Sequence, residues 1–416
     1  AGVETKGYCF YKSTNGINRA SAYGTEEEFE EVKWKKVIEC LEDAEMLCGI
    51  KEHFGKIEDP RLGQNKRHQL MDIIVLSICA VVSGAEGWEA IEGFGYDKEA
   101  WLKKYIELRN GIPSDDCIAR VLSRIEPSQL TDCFIEWTRS VSELTGGEIV
   151  AIDGKTVRGS YDVKRKQSAI HMVSAWATQA GMSLGQVKTD EKSNEITAIP
   201  KLLELLELKG CIVTIDAMGC QTEIARKIIE KQADYVLAVK GNQSLLHQAI
   251  IDYFEVAIAA NHPEVCQMQS HEDIDAGHGR IETRRFYLSS CLSTLPTPAR
   301  WQGLQSIAMV ESERIVQGQT TRQRRYYLCS FTDIHSFAHA VRSHWEIENA
   351  LHWVLDVTFS EDDSRIRNGN SPANFNIFRQ LALNLLKREP SKLSIKRKRF
   401  KAALSDSFRE TLFSLS

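Results

Sequence analysis

Two aspartates, each at the end of an apolar run rich in β-branched residues, are best placed in this sequence to do chemistry. Asp153 ends the run IVAID that starts at residue 149, and Asp216 ends the run IVTID over residues 212–216. Such runs are typical of buried strands in an α/β sheet, and ligands bind at the carboxyl edge of such sheets. Aspartate is also common where strands turn, which would explain either residue alone. The matched pair leaves two interpretations open, two ordinary strand turns or a shared divalent-metal site.

A third acid comes from a long helix predicted over residues 334–357. Its apolar residues gather on one face, and Glu348 lies at the border of that face, with His344 and His352 one turn away on either side. Glu346 is a competitor, but it points well away from Glu348 on the helical wheel. Clustered carboxylates repel one another unless a cation is bound. Two Mg²⁺ or Mn²⁺ ions about 4 Å apart would activate a water or a 3′-hydroxyl against a phosphodiester.

The two histidines also permit a different metal chemistry. His344, Glu348 and His352 are spaced at i, i+4 and i+8, so they would line one strip of the helix as a zinc site. The metalloprotease signature HExxH is absent from the sequence, and no further ligand has an obvious spacing. We therefore expect the histidines to contact DNA or to pair with the acids.

The first part of the chain is predicted to be helical. Residues 1–48 predict a leader followed by one amphipathic helix, and residues 49–145 predict a small all-α domain, for which DNA binding is a candidate role. Asp115 and Asp116 follow a proline and a serine that suit a helix start. We interpret these two acids as capping residues rather than as catalysts.

From residue 146 the pattern changes to alternating strands and helices. Residues 146–261 predict three strands, then helix, strand, helix, strand and helix, which is the order expected of a ribonuclease H-like α/β core. Residues 262–333 predict an all-β insertion outside the main sheet, residues 334–390 the last part of the core, and residues 391–416 a basic tail. The insertion carries six arginines that would form either a phosphate-binding face or a solvated edge: Arg280, Arg284, Arg285, Arg322, Arg324 and Arg325.

Bulk composition is that of an ordinary globular protein, with 43% hydrophobic and 26% charged residues in a chain of 416. The net charge of −5 argues against a nucleic-acid coat protein but not against DNA binding, which depends on local basic surface. No apolar run approaches the roughly 20 residues of a membrane span, and no signal peptide is apparent. The 11 cysteines include no CxxC pair, which predicts free thiols in a reducing cytoplasm.

Several long motifs carry a family resemblance. The stretches AIDGKTVRGS, EKSNEITAIPKLL, TIDAMGCQTEIA, DYVLAVKGNQ and HWEIENALHWVLDVTFSEDDSRIR resemble those of the H-repeat-associated (ISAs-type) insertion-sequence transposases, a branch of the DDE transposases. The stretch DPRLGQNKRHQLMDIIVLSICAVVSGAEGWEAIEGFG resembles the DDE-transposase-associated N-terminal domain. The resemblance spans about residues 54–390. It implies that Asp153, Asp216 and Glu348 are the three catalytic acids and hold two Mg²⁺ or Mn²⁺ ions.

The resemblance also implies a reaction and a partner. The expected reaction is cleavage of DNA at the ends of an insertion element, followed by joining of the 3′-hydroxyl ends to target DNA. The partners would be double-stranded DNA, with terminal inverted repeats and target DNA, and a second copy of the chain in a homodimer. The expected location is the bacterial cytoplasm, in association with the nucleoid. The alternative is a domesticated, catalytically silent DNA-binding relative.

One motif departs from the family pattern. Related transposases carry the third acid in a helix motif of the form Tyr-x-x-Arg-x-x-x-Glu, followed by a basic residue. Here Val341 stands at the tyrosine position, His344 at the arginine position and His352 in place of the following base. These departures put the same phosphate contacts in doubt but leave the acid in place.

Four further residues are predicted DNA contacts near the acids. Lys155 and Arg158 follow the first aspartate, and Lys240 and Asn242 stand at the end of another predicted strand on the same edge. Surface solvation is the ordinary explanation for each of them. Glu195 is either an extra acid near the site or a helix-start residue that is favoured by the helix dipole.

Overall fold

The structure of the chain is a computed structural model, and it describes only part of the sequence. The described residues are 12–13, 16–17, 47–63, 66–142, 144–161, 168–189, 195–260, 268–277 and 280–414. Residues 12–13 and 16–17 pair as a short antiparallel hairpin. Up to residue 46, the rest of the predicted leader and its amphipathic helix lies outside the described residues.

Nine strands of the described residues form one large sheet. In chain order the strands are β1 (Ile149–Thr156), β2 (His171–Ala177), β3 (Met182–Lys188), β4 (Ile212–Ile215), β5 (Asp234–Val239), β6 (Met268–Gly277), β7 (Arg280–Ser289), β8 (Ser306–Val316) and β9 (Gln319–Cys329). Their order across the sheet is β3-β2-β1-β4-β5-β9-β8-β7-β6. The molecule is therefore of the α/β class, as predicted.

The parallel centre of the sheet brings the two strand-end aspartates to one edge. β1 pairs in parallel with β4, and Ile152 lies opposite Ile215 in the register. Asp153 and Asp216 are the next residues along the two strands, so both stand where the parallel pairing of β1 with β4 ends, although β1 itself continues to Thr156. β4 in turn pairs in parallel with β5. Crossover helices between these strands enforce the parallel direction.

The arginine-rich β segment differs from the prediction in its position. It is made of strands, but it does not stand apart from the main sheet, because Tyr326–Cys329 of β9 pairs antiparallel with Val236–Val239 of β5. Without this pairing, β5 would present an edge of unsatisfied backbone groups. The buried ends of β7, β8 and β9, such as Phe286 and Leu288 in β7, are apolar, whereas polar residues dominate the rest of the segment in the sequence. The prediction of an insertion outside the sheet is wrong in this respect.

Helices cover the sheet and form a second layer. They are α1 (Cys48–Phe54), α2 (Leu70–Val82), α3 (Trp88–Asp97), α4 (Glu99–Leu102), α5 (Asp115–Leu122), α6 (Pro127–Val141), α7 (Glu195–Leu205), α8 (Thr222–Glu230), α9 (Ser244–Ala260), α10 (Ile334–His344), α11 (Trp353–Phe359), α12 (Ser371–Arg388), α13 (Ile395–Leu404) and α14 (Asp406–Ser414). A π-helical segment, Ile347–His352, separates α10 from α11. Among the described helices, none combines the length and the apolar character that crossing a membrane would require.

The N-terminal helices share one hydrophobic core with the C-terminal helices. Leu76 of α2, Phe134 of α6, Leu351 and Leu381 belong to the same buried cluster. α12 runs through this core, and Asn384 on α12 accepts a hydrogen bond from the backbone N–H of Ser183 on β3 at 2.9 Å. A mostly buried α12 therefore ties the helical layer to the edge of the sheet.

The predicted capping acids of α5 lie beside the cap. Ser114 is the N-cap, and its hydroxyl accepts a hydrogen bond from the N–H of Cys117 at 3.3 Å. Asp115 and Asp116 occupy the first turn of α5, where a negative charge is favoured by the helix dipole. The cap is Ser114, so the prediction that the two acids cap α5 is wrong, although their place in the first turn is still a structural one.

Candidate active site

A cleft of about 820 Å³ opens at the carboxyl edge of the parallel strands, and we call it the active cleft. Asp153, Asp216 and Glu348 all line it, although they come from two strands and from the helical segment that follows β9. Lys240 and His344 also line it. The fold therefore brings the three predicted acids into one cavity, together with two of the predicted DNA contacts.

The backbone after Asp153 is packed closely under a second carboxylate. A Cβ atom on Gly154 would lie 2.2 Å from Oε1 of Glu195 and 2.5 Å from Nε2 of His171. Nε2 of His171 is 2.8 Å from Oε1 of Glu195, and Nδ1 of His171 is 2.9 Å from Oγ1 of Thr156. Only glycine fits beneath this pair without a shift. Glu195 therefore lies near the acids, and it is also the first residue of α7, so both of its predicted placements hold.

Asp216 begins a short 3₁₀ turn, Ala217–Gly219, and is its N-cap. Its Oδ1 accepts a hydrogen bond from the N–H of Met218 at 3.0 Å. The side chain of Asn242 donates to the carbonyl of the first residue in the turn at 2.6 Å, which holds the turn against the end of β5. Burial raises the pKa of Asp216, and the charge of Glu195 contributes to the rise. Asp216 thus both caps the 3₁₀ turn and lines the active cleft.

Glu348 lies in the π-helical segment Ile347–His352 rather than in a continuous α-helix over residues 334–357, so the prediction of one regular helix is wrong. A π segment widens the turn and is frequent at functional sites. It leaves 61% of the Glu348 side chain exposed in the active cleft, whereas His352 is 5% exposed beside Asp153.

Asp153, Glu348 and His352 form a compact group of potential ligands, which we call the acid–histidine group. Nδ1 of His352 lies 3.5 Å from Oδ2 of Asp153 and 3.9 Å from Oε2 of Glu348. One ligand atom from each residue lies within 4.8 Å of the others. Burial raises the pKa of Asp153 to about 6, while His352 lowers it and the charge of Glu348 raises it. The pairing with His352 lowers the pKa of Glu348.

The donor atoms of the acid–histidine group suit a divalent cation. Two carboxylates supply hard oxygen ligands, and a cation between them would offset the repulsion that the buried Asp153 feels from Glu348. Nε2 of His352 is buried and has no hydrogen-bond partner among the described residues. Nδ1 is the ring nitrogen that faces the two carboxylates, so the unpaired Nε2 is a separate cost of burying this side chain.

Comparison with known proteins identifies the family. The sequence profile described as Transposase DDE domain matches residues 144–385, and the profile described as DDE_Tnp_1-associated matches residues 51–138. YncI of Escherichia coli O157:H7 is 46% identical over 370 residues, which cover 88% of this chain and 94% of YncI. The H repeat-associated protein YhhI of Escherichia coli strain K12 is 42% identical, with 87% and 97% covered. Both relatives carry transposase in their names.

The chain belongs to the DDE transposase family. The family resemblance that the sequence motifs carry is thereby confirmed. Among solved structures, a piggyBac transposase synaptic complex with hairpin DNA matches 87% of this chain and 76% of its own, with 11% identity and a TM-score of 0.41. That similarity is too loose to support a structural conclusion.

His344 of this DDE transposase stands apart from the acid–histidine group. Its Nδ1 is 2.8 Å from Oγ1 of Thr214 on β4, and burial lowers its pKa to about 4. The zinc strip of His344, Glu348 and His352 is not among the groups of potential ligands in the described residues, where Asp153 takes the place of His344. Of the two expectations for the histidines, His352 pairs with the acids.

Lys155 is enclosed in an ion-pair cluster instead of facing the active cleft. Its Nζ contacts the carboxylates of Asp356 on α11 and of Glu361, which is fully buried. Only 15% of the Lys155 side chain is exposed. The contact links β1 to the helical segment that carries Glu348, so Lys155 can position the acids but is not a free phosphate contact in this conformation.

The other predicted contacts differ in exposure. Arg158 is 83% exposed, and its Nε lies 3.7 Å from Oδ2 of Asp362. Lys240 is exposed in the active cleft, and Asn242 holds the turn after Asp216. Glu346, the competitor for the third acid, does not line the active cleft.

Two residues near the acids were not predicted from the sequence. His171 reaches the site because it lies opposite Thr156 in the antiparallel pairing of β2 with β1, and no sequence motif predicts that register. Asp356 follows His352 by four residues. The spacing of one helical turn was the available signal for it.

Proposed function

We propose that this DDE transposase cleaves double-stranded DNA at the ends of an insertion element and joins the 3′-hydroxyl ends to target DNA. The observation that carries the proposal is the acid–histidine group, whose ligand atoms lie within 4.8 Å of one another in a cleft that Asp216 also lines. Family membership supports the same reaction class. The alternation of helices with the parallel strands β1, β4 and β5 supports a ribonuclease H-like core.

Asp153, Asp216 and Glu348 would hold two Mg²⁺ or Mn²⁺ ions. Such ions activate the attacking water or 3′-hydroxyl and stabilise the leaving oxygen of the phosphodiester. The buried carboxyl of Asp153, with a pKa of about 6, would be kept ionised by a neighbouring cation. His352 orients both carboxylates, since its Nδ1 faces Asp153 and Glu348.

The protein contributes positioning and electrostatics rather than a covalent intermediate. Gly154 and the 3₁₀ turn at Ala217–Gly219 fix the two strand-end acids. The exposed carboxylate of Glu348 is the acid that can reach toward DNA in the cleft. Lys240, at the end of β5, is placed to contact a phosphate beside the acids.

Replacement of Asp153 tests the proposal directly. Asp153→Ala should abolish Mg²⁺-dependent strand cleavage of a duplex that carries the end of the element, while folding and DNA binding persist. The measurement is a gel assay of nicked product together with circular dichroism and an electrophoretic shift. Undiminished cleavage by the variant would overturn the assignment. A wild-type protein that binds the same duplex but cleaves it with neither Mg²⁺ nor Mn²⁺ would favour the silent DNA-binding relative.

Two further parts of the proposal concern assembly. Joining two element ends requires two active sites, so we propose a homodimer on DNA. We also propose that the helical segment at residues 49–145 contacts DNA, and that the core is formed by residues 146–261 and 334–390. Mass photometry of the protein with and without duplex ends tests the dimer. A complex whose mass corresponds to one protein chain with two DNA ends would contradict it.

A further inference from the structure

We infer that duplex DNA leaves the active cleft along one face of strands β6–β9, where Arg280, Arg314 and Arg325 contact its phosphates, and that the opposite face takes no part. The inference rests on the proposed function, because it names the surface that holds the DNA substrate. It follows from the way in which the arginines of this segment divide between the two faces of the sheet.

The strand register assigns each arginine to a face. Side chains alternate along a strand, and residues directly opposite each other on paired strands share a face. Val310 of β8 lies opposite Arg325, Ser312 opposite Arg284, and Val316 opposite Arg280. Arg314 lies on the same face of β8 as Val310, Ser312 and Val316. The inner face therefore carries these arginines: Arg280, Arg284, Arg314 and Arg325. Glu311 and Glu313 of β8 lie opposite the remaining arginines, which define the outer face: Arg285, Arg322 and Arg324.

The outer-face arginines are neutralised by glutamates. Arg285 lies 2.7 Å from Glu272 and 3.5 Å from Glu311. Arg324 is 2.7 Å from Glu311, and in the same way Arg322 is 2.6 Å from Glu313. Arg322 and Arg324 each border one of the clefts, but their guanidinium groups are held by these acids. Three arginines against three glutamates leave little net charge for a phosphate.

The inner face keeps an excess of positive charge, because its Glu282 lies opposite Arg314 in the register but pairs with Arg284. Among the described residues, Arg280, Arg314 and Arg325 have no ion-pair partner, and Arg280 and Arg314 are exposed. Arg325 contacts Gln323 at 3.3 Å, and its guanidinium lies 5.0 Å from the centre of the Trp345 ring. The remaining inner-face arginine, Arg284, is paired with Glu282 at 2.8 Å and is therefore not part of the proposed contact.

The inner face forms a groove that is continuous with the active cleft. The groove has a volume of about 520 Å³ and is lined by six arginines and one acid, Glu282. One of the six, Arg342 of α10, is held by Asp273 at 2.9 Å. Arg325 and Trp345 line both the groove and the active cleft. A ligand that fills the active cleft can thus continue into the groove without crossing the outer face.

The length of the groove suits a duplex. Val310 and Val316, which lie opposite Arg325 and Arg280, are six residues apart on β8. At about 3.4 Å per residue this separation is about 20 Å, and successive phosphates of one DNA strand are also about 3.4 Å apart along the helix axis. The unpaired arginines therefore span a length of about six base pairs along the axis of a duplex that enters the active cleft.

A pair of matched double variants tests the inference. Arg280→Ala with Arg314→Ala removes two positive charges from the inner face. Arg226→Ala with Arg285→Ala removes two ion-paired arginines elsewhere, since Arg226 is held by Glu223 and Glu230 on α8. Both are made in the full chain with Asp153→Ala, so that the probe stays intact. Fluorescence anisotropy then measures Kd over a range of NaCl for a labelled duplex taken from the DNA that flanks the coding region.

The inner-face double variant should bind about tenfold more weakly than its parent, and its salt slope should fall by about two, roughly one for each lost phosphate contact. The control pair should stay within about twofold. Equal effects of the two pairs, or an unchanged slope for the inner-face pair, would overturn the inference even if the parent protein binds the duplex. Failure of the parent to bind any duplex would instead overturn the proposed function. Tighter binding of an RNA duplex than of the DNA duplex would contradict the choice of DNA as the partner.

Discussion

Two clusters of acids lie side by side along β1, and they differ in the basic residue that contacts the acids. Asp153 meets Glu348 and His352, whereas Lys155 meets Asp356 and Glu361. The two clusters follow each other because a step of two residues on the strand and a step of one turn on the helix are both about 6 Å. One cluster receives a lysine ammonium from the chain itself, and the other receives a histidine.

The difference separates a structural cluster from a candidate active site. The ammonium of Lys155 contacts both carboxylates and offsets part of their charge, so an internal cation already occupies this cluster. In the acid–histidine group the pKa of Asp153 is raised to about 6, because burial and the charge of Glu348 are only partly offset by His352. An acidic cluster alone would not distinguish the two, since both have ligand spacing. The internal cation, present in only one of them, distinguishes the two clusters.

The largest expected effect is on cleavage, in the acid–histidine group. Glu348→Gln removes a proposed metal ligand while keeping its shape, and it should reduce Mg²⁺-dependent cleavage by about three orders of magnitude, or about 4 kcal/mol. Glu346→Gln is the matched control, because it lies two residues away on the same segment and does not line the active cleft. Single-turnover assays on a duplex end compare the two. Equal losses in both variants would show that Glu348 has no special role.

The next largest effect is on stability, in the lysine cluster. Lys155→Met leaves the fully buried Glu361 and its neighbour Asp356 without their cation, and it should lower the free energy of unfolding by about 3–5 kcal/mol. Urea denaturation followed by circular dichroism measures the change. The double variant Lys155→Met with Glu361→Gln should recover part of the loss, because it removes the uncompensated charge. A Lys155→Met variant as stable as the wild type would remove the distinction between the two clusters.

Added metal should stabilise only one of the clusters. Mg²⁺ at about one hundred times its Kd should raise the free energy of unfolding of the wild type by about 2.7 kcal/mol. The rise should disappear in Asp153→Asn and persist in Asp356→Asn, which alters the lysine cluster. Thermal unfolding with a Mg²⁺ titration, after dialysis against EDTA, provides the readout. Loss of the rise in Asp356→Asn but not in Asp153→Asn would reverse the assignment of the two clusters.

How far the sequence could predict this arrangement depends on the distance between interacting residues. Asp153 and Asp216 were predictable as neighbours because each follows a local apolar run, and adjacent parallel strands end at one edge. The π segment was not predictable from the sequence, because its hydrogen bonding depends on packing against the sheet. The same limit applies to the arginines of β6–β9. A shift of one residue in the register would exchange the inner and outer faces, and no local signal determines whether Arg324 or Arg325 faces the groove.

The smallest predicted effect concerns the two histidines on either side of Glu348, of which only His352 faces the acids. Burial lowers the pKa of His344, which contacts Thr214, to about 4 from an ordinary value near 6.5. A lowered pKa in the folded state gives stability that is present above about pH 6.5 and is lost as the pH falls toward 4. From pH 7 to pH 5 the wild type should therefore lose about 2 kcal/mol through this group. His344→Asn, which keeps a neutral partner for the threonine, should lose less over the same interval, as measured by urea denaturation at both pH values. An identical pH dependence in the two proteins would mean that His344 is not buried in its neutral form, and the contrast with His352 would then rest on geometry alone.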